Sequence, residues 1–158
     1  PVLWQFMDFK QFDPAEFEDF LDLLPDELNG RQFRHVLDVR HESFCCEEFV
    51  DLARKHGKAI VFTHSDKYPV LADQTADFSY ARLMQTREEI ETGYAPEELD
   101  DWANVARDWQ KGVSPASLKT IAKTPPPGDN RDAYIYFISG AKLRAPAAAQ
   151  AMMARLDG

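Results

Sequence analysis

Short β-like runs alternate along this chain with amphipathic helical stretches, and no other feature limits the fold as much. Strands that are each followed by a helix pair in parallel, because the crossover returns the chain to the same end of the sheet. Val2-Leu3-Trp4-Gln5-Phe6 is the first strand candidate. Asp13-Pro14-Ala15-Glu16 then supplies an N-cap, a proline at the first helical position and a carboxylate three residues after the cap. Phe17, Phe20, Leu21 and Leu24 recur at helical spacing as one apolar stripe, which Pro25 and Gly30 close. Residues 33–39 form the next strand and run into Arg40-His41-Glu42-Ser43. Ser43 is the expected cap of a helix that carries Phe49, Val50, Leu52 and Ala53 and stops at Gly57.

Ala59-Ile60-Val61-Phe62 reads as a strand buried on both faces, and residues 78–83 read as another. The link between them, residues 64–76, contains Pro69 and has room for one helical turn at most. Pro96-Glu97-Glu98 opens the clearest helix, with Leu99, Trp102, Ala103, Ala106 and Trp109 on one face and Lys111-Gly112 at its end. Residues 113–132 break the pattern, and Thr124-Pro125-Pro126-Pro127-Gly128 sustains neither helix nor sheet pairing, so a surface loop is expected. Ala133-Tyr134-Ile135-Tyr136-Phe137-Ile138 is the last strand, and Pro146 opens an alanine-rich terminal helix. With 158 residues, 44% of them hydrophobic, the chain has material for one core, and residues 1–158 are read as a single α/β domain of about five parallel strands with covering helices. Five strands are too few to close a standard barrel, so the edges near Leu3 and Ile135 need partners.

Four ordered segments resemble successive motifs of the domain of unknown function 72 family, also called YecE-like. They are Gln5 at the end of its strand, Asp38-Val39-Arg40-His41-Glu42-Ser43-Phe44, Thr75-Ala76-Asp77-Phe78-Ser79-Tyr80-Ala81-Arg82-Leu83, and Tyr94 followed by Glu98-Leu99-Asp100-Asp101-Trp102-Ala103. The aromatic run from Tyr134 to Phe137 matches the family's final strand. The chain departs from the pattern at Asp38, where the family has Glu, at Met84-Gln85, where it has His-Gly, and at Ile138-Ser139, where it has an Asn-containing end. The resemblance implies a TIM-like (β/α) barrel, of which this chain is the C-terminal portion. Roughly the first three strands would then lie outside it, supplied by a missing segment or by another subunit. It implies no particular activity.

In such a barrel the strand ends face a common pocket, and residues two apart on a strand share a face. Asp38 and Arg40 are therefore expected to point together, as are Tyr80 and Arg82, so that two arginines and a carboxylate converge with Gln5, His64 and Tyr136 beside them. A guanidinium is a fixed positive fork suited to phosphate or carboxylate, and a neighbouring carboxylate can position a water or take a proton. Gln5, Arg40, His64, Tyr80, Arg82 and Tyr136 are the ligand-binding candidates, and Asp38 and His41 the catalytic ones. The alternative is an ionic network that neutralises itself inside the barrel. His41 and His64 end adjacent strands and so are candidates to meet, with Asp38 and Asp66 nearby. No metal or other cofactor is expected, because no spacing such as His-Glu-x-x-His occurs.

His35 and His56 read as structural or solvent-exposed. Cys45 and Cys46 fall in the expected first turn of a helix, where a thiolate is favoured. No base or orienting acid is assignable to either, so a nucleophilic role is not expected. Being adjacent, the two read as reduced thiols of a cytoplasmic protein. Lys111, Lys119, Lys123 and Arg131 make the one locally basic region, either a lid or partner contact or a solvated surface. A net charge of -9 argues against broad adhesion to nucleic acid or membrane. The favoured partner is a small anionic ligand. A nucleic-acid-binding barrel, with arginines on phosphates and tyrosines on bases, and a non-catalytic interaction module are the alternatives.

Overall fold

The computed structural model describes residues 1–123 and 126–157. Thr124 and Pro125, part of the expected proline-rich loop, and Gly158 lie outside the described residues. In chain order the elements are β1 (Val2–Gln5), α1 (Pro14–Asp22), β2 (Glu27–Leu28), β3 (Arg31–Gln32), β4 (His35–Asp38), α2 (Glu47–Lys55), β5 (Ala59–His64), β6 (Phe78–Leu83), α3 (Pro96–Gln110), β7 (Asp132–Phe137) and α4 (Ala145–Leu156). Five strands form one sheet in the order β1-β4-β5-β6-β7, every neighbouring pair parallel. The sheet is not closed, and β1 and β7 are its edges.

Local chemistry accounts for most boundaries. The Asp13 carboxylate accepts from the Glu16 backbone N–H at 3.0 Å and Pro14 is the first helical residue, so α1 begins where the capping pattern puts it. Glu98 reaches back to the Ala95 backbone N–H at 2.7 Å at the start of α3. Residues 25–32 do more than end α1. Asn29 and Gly30, with φ of 53° and 76°, turn β2 back onto β3 as an antiparallel hairpin. Left-handed φ at both central residues is the conformation an Asn-Gly hairpin turn requires.

Two expectations are corrected on the far side of β4. A 3-10 turn, Glu42–Phe44, precedes α2, and the residue at the start of α2 is Cys46, not Ser43. The Ser43 hydroxyl instead accepts from the Phe12 backbone N–H at 2.8 Å, tying the approach to α1 to the end of β4. Cys45 therefore lies before the helix, and partial burial of its sulfur, with Cys46 and Glu42 adding negative charge, pushes the thiol up and away from the thiolate form. Both cysteines are free. Arg131 is corrected as well: it is 4% exposed, held inside by the carbonyls of Ala76 at 2.9 Å and Phe78 at 3.1 Å.

The helix-facing side of the sheet carries two large apolar clusters and a smaller one of Ala103, Ala106 and Met152 that joins α3 and α4 to β7. Of the large ones, one gathers Phe17, Leu21, Phe44, Phe49 and Ile60 under α1 and α2, and the other Phe62, Leu83, Tyr94, Leu99 and Trp109 under α3. The opposite, concave side holds Val36, Ala59, Val61, Phe78 and Tyr80, against which Leu3 and Tyr134 pack. The Arg34 guanidinium reaches from the start of β4 to the Tyr134 hydroxyl at 3.0 Å and to Asp132 on β7. Two strands lie between, a flat-sheet separation of about 14 Å. Such a bond exists only because the sheet curls into a trough. Arg34 also covers the Phe78 ring at 5.2 Å, sealing the entrance end of the trough.

Candidate functional site

The strand register decides which side chains enter the trough. Gln5 pairs with Asp38, Val61 with Tyr80, Thr63 with Arg82 and Tyr80 with Tyr134, and Tyr136 lies level with Arg82. Parity then sends Gln5, Asp38, Tyr80, Arg82 and Tyr136 to the concave side near the C-terminal strand ends. Their side chains meet. Asp38 is 1% exposed, and its Oδ2 accepts from Arg40 Nη2 at 3.0 Å and from Arg82 Nη1 in a still closer contact. The Gln5 amide oxygen accepts from the same two nitrogens, at 2.9 Å from Arg40 and 3.1 Å from Arg82. Since β6 and β1 are also separated by two strands, this four-residue cluster closes the exit end of the trough as Arg34 and Asp132 close its entrance.

Charge does not balance within the cluster. Two guanidiniums face one carboxylate, so a single positive charge is left at a place where little water reaches, the Arg40 and Arg82 side chains being 12% and 16% exposed. Burial works against the Arg40 charge, but the hydrogen bond and charge of Asp38, with Tyr68 adding, hold its pKa above the usual guanidinium value. Arg40 Nε is buried with no hydrogen-bond partner among the described residues. The Arg40 guanidinium lies over the Tyr68 ring at 4.2 Å, and both border a cavity of about 130 Å³ shared with Gln5, Met7 and Asp8. On the other flank, Tyr80 stacks on Tyr136 with centroids 4.9 Å apart and planes at 26°. Burial, and then the neighbouring Tyr136, raises the Tyr80 phenol pKa, so this hydroxyl stays a donor. Tyr136 is 42% exposed, which leaves the stack open on one side.

Two expected members sit elsewhere. His64 belongs to the helix-facing side of β5, because parity from Val61 and Thr63 turns it outward. It lies 3.4 Å from the Tyr94 hydroxyl, with its ring 4.8 Å from that of Trp102 on α3. Burial lowers its pKa despite Asp66 and Glu98. His41 caps the turn after β4, its Nδ1 accepting from the Ser43 backbone N–H at 3.1 Å and lying 2.8 Å from the Ser43 hydroxyl. Among the described residues His41 makes no hydrogen bond to Asp38, Arg40, Arg82 or His64. His35 is structural: its Nδ1 accepts from Trp4 Nε1 at 3.0 Å and its Nε2 lies 2.8 Å from the Pro25 carbonyl. Tyr68 is the member that sequence reasoning missed, because no local spacing ties an aromatic in the loop after β5 to Arg40.

Solved structures share this fold. A DUF72 family protein from Thermotoga maritima superimposes with a TM-score of 0.61 at 20% identity, covering 96% of this chain and 54% of its own. A DUF72 family protein from Enterococcus faecalis gives a TM-score of 0.68 at 11% identity, covering 99% of this chain and 60% of its own. This chain thus spans little more than half the length of these proteins. No functionally curated protein matches it. The family described as protein of unknown function DUF72 matches residues 1–158, from the first strand to the last helix, and the chain belongs to that family.

Proposed function

We propose that the chain binds a small anionic molecule, through a phosphate or carboxylate, at the C-terminal ends of its strands, with Arg40 and Arg82 as anchors. The observation that carries this reading is the uncompensated charge, two guanidiniums against the single carboxylate of Asp38. An anion removes a cost that a charge of one sign incurs when water is excluded. The orphaned Arg40 Nε supports the same reading, whereas the adjoining cavity gives room beside Arg40 but is also bordered by the Asp8 carboxylate. The exposed edge of the Tyr80–Tyr136 stack offers a planar or sugar-like portion of the ligand an apolar surface. Asp38 then orients both guanidiniums, and its acid-base role belongs to the same proposal.

A second reading, a self-paired ionic cluster in a non-catalytic interaction module, draws support from the 1% exposure of Asp38 and the engagement of both guanidiniums by it. A thermal-shift screen of small phosphates and carboxylates separates the two. Ligand-dependent stabilisation that Arg82→Ala abolishes supports the anion site. Stabilisation that survives the substitution, or none in the unaltered chain, leaves the structural cluster.

A further inference from the structure

Gln5 holds a place in the strand-end cluster that its chemistry does not fill. Its amide oxygen accepts from Arg40 Nη2 at 2.9 Å and from Arg82 Nη1 at 3.1 Å, the same two nitrogens that Asp38 Oδ2 engages. Of the two oxygens between the guanidiniums, one is therefore charged and the other neutral. Gln5 and Asp38 are register partners on neighbouring strands, yet Gln5 is exposed and the Asp38 side chain is 1% exposed. The neutral oxygen is thus the one on the solvent side. Resting on the strand-end anion site proposed above, we infer that its ligand is a monocarboxylate whose carboxylate displaces the Gln5 amide oxygen from the two guanidiniums, so that Gln5 is a placeholder and not a ligand contact.

Charge sets the class of ligand. Two guanidiniums against Asp38 leave one positive charge, and a carboxylate cancels it. A phosphate monoester carries about -1.5 to -2 at pH 7. It would leave negative charge beside Asp38, and Asp8 adds another carboxylate on the border of the cavity next to Arg40. Hydrogen bonding favours the exchange as well. Two bonds to a neutral oxygen give way to two charge-assisted ones, which are shorter and stronger. The displaced Gln5 amide, being exposed, recovers its bonds from water. Tyr136 lies level with Arg82 and is 42% exposed, so a ring attached to the carboxylate finds a face to stack on beside its anchor.

Isothermal titration calorimetry with benzoate and with phenyl phosphate, which share a ring and differ in the anion, tests the inference. Between about pH 7 and 8 the Kd for benzoate is expected to stay constant, because a carboxylic acid with a pKa of roughly 4 is ionised throughout. Phenyl phosphate is expected to bind as its monoanion, so its Kd rises roughly tenfold over the same interval, the second pKa lying near about 6. The charged and titratable side chains around the cluster are Asp8, Asp38, Arg40, Arg82, Tyr68 and Tyr80, whereas His41 and His64 bond elsewhere, so the interval reads the titration of the ligand. Gln5→Glu supplies the second carboxylate from the chain itself. It is expected to raise Tm and to weaken benzoate by about tenfold or more, the loss of bonds to a charged group. Gln5→Ala empties the place and is expected to leave benzoate binding intact or tighten it. Phenyl phosphate that binds more tightly than benzoate with a constant Kd, or benzoate binding that Gln5→Glu leaves unchanged or Gln5→Ala weakens, overturns the inference; if Arg82→Gln still abolishes that binding, the anion site itself stands. Binding of neither probe to the unaltered chain, or binding that survives Arg82→Gln, removes the site and the inference together.

Discussion

Replacing Asp38 with Asn keeps the shape of the side chain and removes the one negative charge between two guanidiniums. Because Asp38 is 1% exposed and its partners 12% and 16%, the substitution leaves two like charges facing each other with little water between them. Breaking a buried pair by removing one partner costs about 3–5 kcal/mol, and the residual exposure of both arginines argues for the lower end, about 3 kcal/mol. For a chain of this size, 1 kcal/mol corresponds to roughly 2–4 °C, so Tm is expected to fall by about 6–12 °C. Thermal unfolding followed by circular dichroism measures it. Two internal controls sharpen the reading. Arg82→Gln in the Asp38→Asn background relieves the repulsion, so the double variant is expected to be more stable than Asp38→Asn alone. Inorganic phosphate stabilises Asp38→Asn more than the unaltered chain, since the cluster charge rises from one to two. A loss below about 1 kcal/mol, the level of an exposed ion pair, would refute the reasoning.

His64→Gln tests the outward placement of that residue. A base whose folded pKa lies below its unfolded value near 6.5 takes up its proton on unfolding, so stability declines as pH falls from about 6.5 towards the folded pKa. The variant is expected to show a flatter stability profile in this window, and an unchanged slope would show that His64 does not contribute to it. Gly140 has φ of 54°, and a Cβ there would lie 2.6 Å from the Thr86 carbonyl oxygen. Gly140→Ala is therefore expected to lose at least the roughly 1–3 kcal/mol of a strained left-handed residue, read as a lowered urea midpoint.

Much of the strand-helix order was legible because each element carries its own local signal. Asp13, Pro14 and Glu16 mark a helix start without reference to the rest of the molecule, and β6 shows in the run from Phe78 through Tyr80 and Ala81 to Leu83. The Asp38–Arg40 and Tyr80–Arg82 pairs were legible for a similar reason, since period-two spacing assigns a common direction within a strand. What spacing does not fix is which direction that is. In β5, residues from Ala59 to Thr63 are buried on both faces, so the sequence offers no polar face from which to orient His64. The register with β6, a contact between distant segments, turns it towards α3. The Asn29-Gly30 hairpin turn carried a recognisable signal that its position after a helix masked. The burial of Arg131 had no local signal at all, because its acceptors lie in residues 74–78. Tyr68 likewise becomes a neighbour of Arg40 only through the course of the loop after β5.

A crystal of the chain soaked in bromide, with anomalous scattering used to place the ion, tests the strand-end cluster most directly. The predicted result is a bromide within hydrogen-bonding reach of Arg40 Nε and the Arg82 guanidinium. Bromide confined to other surfaces, with Gln5, Asp38, Arg40 and Arg82 still bonded only to one another, would contradict an anion site at the strand ends.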